Sequence, residues 1–212
     1  LSQGFINLKS LSKINKPVVW TMRDMWAFTG GSHYTMEFEK YEKSFLSKII
    51  QNYKKKSYTK NFHFIAQSDW LRNKAQKSNV LKEFSVKRIY NNIDLKSFDS
   101  IKKEDARSFL KISTKKQIIL FGADNPQSKR KGWDIFVDSL KKLDRSKYYL
   151  LIFGNFWSQK TLDEIGIEYK SLGFINDKKI LNNTYSCADL FVASSIQDSM
   201  PKTFAEAMCC QT

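Results

Sequence analysis

Acidic residues are in short supply in this chain of 212 residues, where 21 Asp and Glu face 36 Lys and Arg and the formal net charge is +15. Long apolar runs are missing too. No stretch approaches the roughly 18 consecutive apolar residues that a membrane-spanning helix requires, and the N-terminus lacks a charged segment followed by an apolar one and a small-residue cleavage site. A cytoplasmic chain that is not exported is expected. Cysteine is scarce, with only Cys187, Cys209 and Cys210. An odd count, two of them adjacent and none at a C-x-x-C spacing, suggests neither a disulfide framework nor a zinc site and fits a reducing compartment. The signatures of zinc fingers, aromatic RNP strands and basic-region zippers are absent as well, so no nucleic acid is expected as partner. Two sources of the positive charge stay open. One is attraction to anionic lipid headgroups at the inner face of the cell membrane; the other is a lysine-biased composition, with clusters such as Lys54-Lys55-Lys56 and Lys141-Lys142 on solvated faces.

The chain does have material for a core, at 42% hydrophobic and 14% aromatic residues. That is enough for one large domain or two small ones. Short β-rich runs at Pro17–Met22, Phe62–Ala66 and Val86–Tyr90 read as buried strands. Helices are expected before the first of them, around Leu8, Leu11 and Ile14, and between them over Phe45–Tyr58 with Phe45, Ile49, Ile50 and Tyr53 at helical spacing, and after the N-cap Ser68. A polar connection at Leu95–Ser100 follows. The alternation then restarts: helix Glu104–Leu110, strand Gln117–Ala123, helix Gly132–Leu143 and strand Tyr148–Gly154, then strand Glu168–Leu172, helix Asp177–Ser186, strand Asp189–Ala193 and a helix opening near Pro201. Such alternation predicts two α/β units with mainly parallel sheets, here placed at 1–97 and 98–212. The chain starts at Leu1 without an initiator methionine and stops at Thr212 after what reads as an unfinished helix, so both units are expected to be incomplete.

In parallel sheets ligands bind where strands end and helices begin, which singles out two loops of the second unit. The first follows the strand ending at Gly122 and Ala123 and carries Lys129-Arg130-Lys131-Gly132. Three cations at a helix entrance suit a diphosphate, although a solvated basic loop would look the same. The second runs from Ser194 through Asp198-Ser199-Met200-Pro201 to Glu206-Ala207-Met208. Pro201 fits the first helical turn and leaves the neighbouring N–H groups able to seat an anion. Asp198 and Glu206, two helical turns apart, could accept hydrogen bonds from a sugar hydroxyl and a ribose diol; an N-cap and an exposed glutamate are the simpler reading.

This loop resembles the acidic pair of retaining glycosyltransferases of family 4, which have the GT-B fold of two Rossmann-like domains. Asp198 stands where that family has glutamate, and Pro201 and Glu206-Ala207-Met208 keep the pattern. Lys129–Trp133, Val86–Asp94 and Ala66–Leu71 are similar to further family segments in the same order. Trp20–Tyr34 is similar to a subgroup associated with exopolysaccharide and colanic-acid-type assembly. The resemblance implies transfer, with retention and without a metal or other cofactor, of a sugar from a UDP- or GDP-sugar to a saccharide or lipid-linked acceptor. It places Arg130 and Lys131 on the leaving diphosphate, Glu206 on the ribose and Asp198 on the donor sugar. Gly122, Ser199, Met200 and Pro201 complete the donor seat, and Arg23, Asp24 and His33 fall on the acceptor or sugar side. Arg23 stands where the family has histidine. A sugar-nucleotide epimerase or hydrolase on the same fold, or a non-catalytic basic module that binds nucleic acid or anionic membrane, would draw on the same features.

Overall fold

The computed structural model describes residues 7–125, 128–155 and 159–212, with the side chains of 159–161 excepted. Pro126 and Gln127 of the basic loop lie outside the described residues. By its contacts the chain divides into two compact units, Leu1–Asn91 with Gln197–Met200, and Asn92–Ile196 with Pro201–Thr212.

In the first unit a three-stranded sheet, β1 (Val18–Met22), β2 (Phe62–Ala66) and β3 (Val86–Arg88), runs in that order with both pairings parallel. Parallel neighbours need crossovers, and these are helical. Helices α1 (Leu8–Leu11), α2 (Glu39–Glu42), α3 (Phe45–Ser57) and α4 (Asp69–Gln76) complete the unit. The expected N-cap is present, since Ser68 Oγ accepts from the Leu71 N–H. Met22, Phe62, Phe64, Ala66 and Leu71 form the centre of the core, each at most 2% exposed.

One expectation needs correction here. The first helix closes at Leu11, before Ile14, once Ser12 turns its hydroxyl back onto the Lys9 carbonyl. On α3 the expected helix is present, with Phe45 79% exposed, Ile49 46% and Tyr53 37%, while Ser47, Lys54 and Ser57 are buried. The reason lies in what α3 packs against, a 3-10 turn at Trp26–Phe28 whose main-chain carbonyls need donors more than they need hydrocarbon.

The second unit holds a four-stranded parallel sheet in the order β6-β5-β4-β7, built from β4 (Gln117–Gly122), β5 (Tyr148–Phe153), β6 (Tyr169–Ser171) and β7 (Leu190–Val192). Its helices are α5 (Lys103–Phe109), α6 (Trp133–Leu140), α7 (Gln159–Ile165), α8 (Lys178–Ser186) and α9 (Lys202–Cys209). Strands β4 and β5 are buried on both faces, which explains why Ile118–Phe121 and Tyr149–Phe153 read as continuous apolar runs. One core layer gathers Leu120, Leu151, Phe153, Tyr185 and Phe191, and the other Phe121, Trp133, Phe136, Leu150 and Ile152. Helix α6 starts at Trp133 because Gly132 is left-handed at φ +70°. No helix among the described residues is long and apolar enough to cross a membrane.

Candidate functional site

The path of the second sheet locates a crevice. From β4 the chain winds outward through β5 to β6, then returns to place β7 on the opposite side of β4. The winding direction thus reverses between β4 and β7, and the carboxyl ends of strands at such a reversal are where ligands bind in parallel sheets. A pocket lies at that point, walled by Gly122 and Ala123 from β4, Ser194 from the loop after β7, Lys131, and Pro201 and Thr203 at the start of α9.

Backbone contacts hold the two loops together. The Ile196 N–H donates to the Arg130 carbonyl at 2.9 Å, and Ser194 Oγ lies 3.0 Å from the carbonyls of both Lys131 and Gly132. Gly132 is required twice over: its φ is +70°, and a Cβ there would collide with the Ser194 carbonyl oxygen. The 3-10 turn Lys129–Lys131 is thereby fixed at the mouth of the crevice. Gly122 answers a different need, because a Cβ on it would strike the ring of Phe153 on the neighbouring strand. It lines the pocket while serving sheet packing.

Pro201 is the N-cap residue of α9, at φ -63°, so the helix opens at the pocket as expected. Glu206 sits one turn further along and is half-buried. Its Oε2 accepts from the Tyr185 hydroxyl at 2.9 Å. Burial above all, with the charge of Glu206 next, pushes the Tyr185 phenol above its ordinary range and keeps it a donor.

Asp198, Ser199 and Met200 belong to the first unit, so the expected donor residues are divided between the two units. There Ser199 is 6% exposed and well anchored. Its hydroxyl donates to the Arg23 carbonyl at 2.6 Å, and its N–H donates to the Tyr34 hydroxyl at 3.3 Å. That N–H, expected to seat a phosphate, is thus engaged by protein. Gln197 accepts from the Met36 N–H at 3.1 Å, and Asp198 between them is half-buried.

Also in the first unit, the structure brings Asp24 and His33 together. Asp24 Oδ2 lies 2.7 Å from His33 Nδ1, and its Oδ1 accepts from the Trp26 N–H at 2.8 Å. The carboxylate thereby orients the His33 ring through its Nδ1. With Trp20, Arg23 and Trp26 these two residues wall a small pocket at the end of β1. It combines flat apolar surface, an imidazole, a carboxylate and a cation.

The segment that presents this pocket rests on a polar network that the residue pattern did not reveal. Glu42 accepts from the N–H groups of Gly30 (2.8 Å) and Ser32 (3.3 Å) and from the hydroxyls of Ser32 and Ser47. Burial raises its pKa, but these bonds outweigh that and hold the carboxyl below the usual range. Lys54, fully buried, donates to the carbonyls of Trp26 and Thr29 and stands 3.7 Å from the centre of the Trp26 ring. Burial draws its pKa down to about 8 against the pull of Glu42 and Asp24. The Tyr58 hydroxyl donates to the Ala27 carbonyl at 2.8 Å. Gly30 allows the close approach, since a Cβ there would meet Ser47 Oγ.

The fold class is that of the GT-B glycosyltransferases, an α/β fold with parallel sheets. Residues 115–212, which contain the crevice, match the family model described as Glycosyl transferases group 1. Among solved structures, sucrose-phosphate synthase from Thermosynechococcus elongatus superposes with a TM-score of 0.70 at 20% identity over 94% of this chain and 50% of its own. HepE from Anabaena, in complex with UDP-glucose, gives 0.69 at 19% identity over 96% of this chain and 56% of its own. WaaG, a glycosyltransferase involved in lipopolysaccharide biosynthesis, gives 0.64 at 17% identity over 92% and 55%. The chain thus spans about half the length of these structures. No curated protein sequence matches it.

Proposed function

We propose that the chain is part of a glycosyltransferase that moves a sugar from a UDP- or GDP-sugar to a saccharide or lipid-linked saccharide acceptor, with retention, in surface-polysaccharide biosynthesis. The crevice between β4 and β7 carries this reading, because it gathers Lys131, Gly122 and the N-terminal turn of α9 inside the segment that matches the glycosyltransferase model. HepE, similar in fold, is described with UDP-glucose bound, which agrees with a nucleotide-sugar ligand.

In the proposed reaction the bond from the anomeric carbon to the phosphate oxygen breaks, and its electron pair leaves with the nucleoside diphosphate. Stabilising that charge is the main task, assigned to Lys131 and Arg130 with the positive end of α9. The acceptor hydroxyl bonds to the anomeric carbon on the face the diphosphate left, and its proton passes to the departing phosphate oxygen. Glu206 takes the ribose diol and Asp198 the donor sugar. The pocket of Asp24, His33 and Arg23 takes the acceptor.

Calorimetric titration with UDP and GDP tests the donor half. One nucleotide should bind in the micromolar range, and Lys131→Ala or Glu206→Ala should weaken it at least about tenfold through lost charge-assisted hydrogen bonds. Unchanged affinity in both variants would overturn the reading. Mass spectrometry of products formed without acceptor separates transfer from epimerisation or hydrolysis.

A further inference from the structure

Tyr185 is an interior side chain whose polar end has a single partner. Its ring is fully buried and meets Phe98, Phe153 and Phe191 edge to face, with centroids 6.1, 5.7 and 5.7 Å away. Among the described residues its hydroxyl has one hydrogen-bond partner, Glu206 Oε2 at 2.9 Å. For packing in such a cluster a phenylalanine would serve. A buried hydroxyl adds a desolvation cost that only its bond to Glu206 offsets.

The other end of that bond belongs to the donor crevice. Thr203 lines the crevice, and Glu206, three residues on, lies on the same side of α9. Glu206 is half-buried, and no hydrogen bond among the described residues reaches its Oε1. A glutamate on a helix ordinarily samples several rotamers and can swing into water. With Oε2 tied to a ring that the interior holds still, Oε1 is fixed before any ligand arrives, and less ordering remains to be done on binding. Rigidity also governs selection. A mobile carboxylate that meets no hydroxyl turns to solvent at little cost and discriminates weakly, whereas a fixed one is left without its partner, which is how a site rejects an analogue lacking one polar group.

We infer that Tyr185 is a positioning residue of the donor site: it holds Glu206 so that the free oxygen reads a ribose hydroxyl, and the pair admits nucleoside diphosphates built on ribose while turning away those built on 2′-deoxyribose. Thymidine diphosphate sugars, whose pentose lacks the 2′-hydroxyl, fall in the rejected class. The inference rests on the proposed donor reading and adds to it the residue that enforces the choice of pentose.

Calorimetric titration of the intact chain with UDP, GDP and their 2′-deoxy counterparts tests it. The ribonucleotide that wild type binds should be held about tenfold to a hundredfold more tightly than its 2′-deoxy counterpart, the range of one hydrogen bond to a charged group. Tyr185→Phe keeps the ring and removes only the hydroxyl; it should reduce that preference to about threefold or less, mainly by weakening the ribonucleotide. A tyrosine that merely packs would, on removal of its hydroxyl, weaken both nucleotides alike. In a Glu206→Ala background the same substitution should leave the remaining preference where it is, because no carboxylate is left to hold. Circular dichroism, together with residual binding of the 2′-deoxy nucleotide, separates a loosened Glu206 from a misfolded domain. An unchanged preference in Tyr185→Phe, equal weakening of both nucleotides, or equal binding of the two pentoses by wild type would overturn the inference and leave the donor reading standing. Failure of wild type to bind either ribonucleotide would overturn both.

Discussion

Two loops in this molecule are held by opposite means. In the second unit the basic turn Lys129–Lys131 is positioned by main chain against main chain, with Gly132 as the corner that lets Ser194 and Ile196 close on it. In the first unit the segment Arg23–His33 is held by side chains reaching long distances to its backbone, Glu42 to Gly30 and Ser32, Lys54 to Trp26 and Thr29, Tyr58 to Ala27. A backbone clamp depends on one residue that has no side chain. A side-chain clamp depends on several that do, all of them ionisable, and it therefore answers to pH.

The contrast can be broken from either side. Gly132→Ala should be the most costly change, about 2–4 kcal/mol, because it adds positive-φ strain to a collision with a backbone carbonyl. Chemical denaturation checks the loss, and it should be independent of pH. Lys54→Met should cost about 2 kcal/mol by leaving two carbonyls without a donor, partly offset by the apolar side chain that fills the space. Its sharper signature is the pH profile. The Lys54 pKa is about 8 in the folded chain against 10.5 as its ordinary value, so the folded state gives up its proton first. Wild-type stability should gain a rising contribution from pH 8 to 10.5, absent below pH 8, and the Met variant should lack that rise. Glu42→Gln should cost about 1 kcal/mol, since the amide keeps the shape and loses the charge-assisted bonds. With a lowered folded pKa, the contribution of Glu42 is present above its ordinary 4.5 and lost as pH falls through the folded value, so thermal melts of wild type and variant should converge in acid. Glu39→Gln, at an exposed pair with Lys43 four residues on, should not move the melting temperature measurably.

The same contrast explains what could be read from residues alone. The alternation of apolar runs and helical spacings placed the strands of both sheets, and the parallel order followed from that alternation, because burial on both faces leaves its mark on every residue of β4 and β5. Gly132 and Pro201 were legible because each answers a local backbone demand. The polar underside of α3 was not. A helical repeat of Phe45, Ile49 and Tyr53 normally marks a buried face, and nothing within the helix tells that Trp26, Ala27 and Thr29, far away in the chain, offer unsatisfied carbonyls to Lys54 and Tyr58. Tyr185 was hidden for a related reason, since its partner Glu206 lies on another helix.

That last pair has a reach beyond its own hydrogen bond. The Tyr185 ring is wedged edge-on among Phe98, Phe153 and Phe191 and is fully buried, while its hydroxyl touches a carboxylate on α9. The rotation of α9 about its own axis is thereby indexed to an aromatic cluster in the interior, as a dial is set by a key on its shaft.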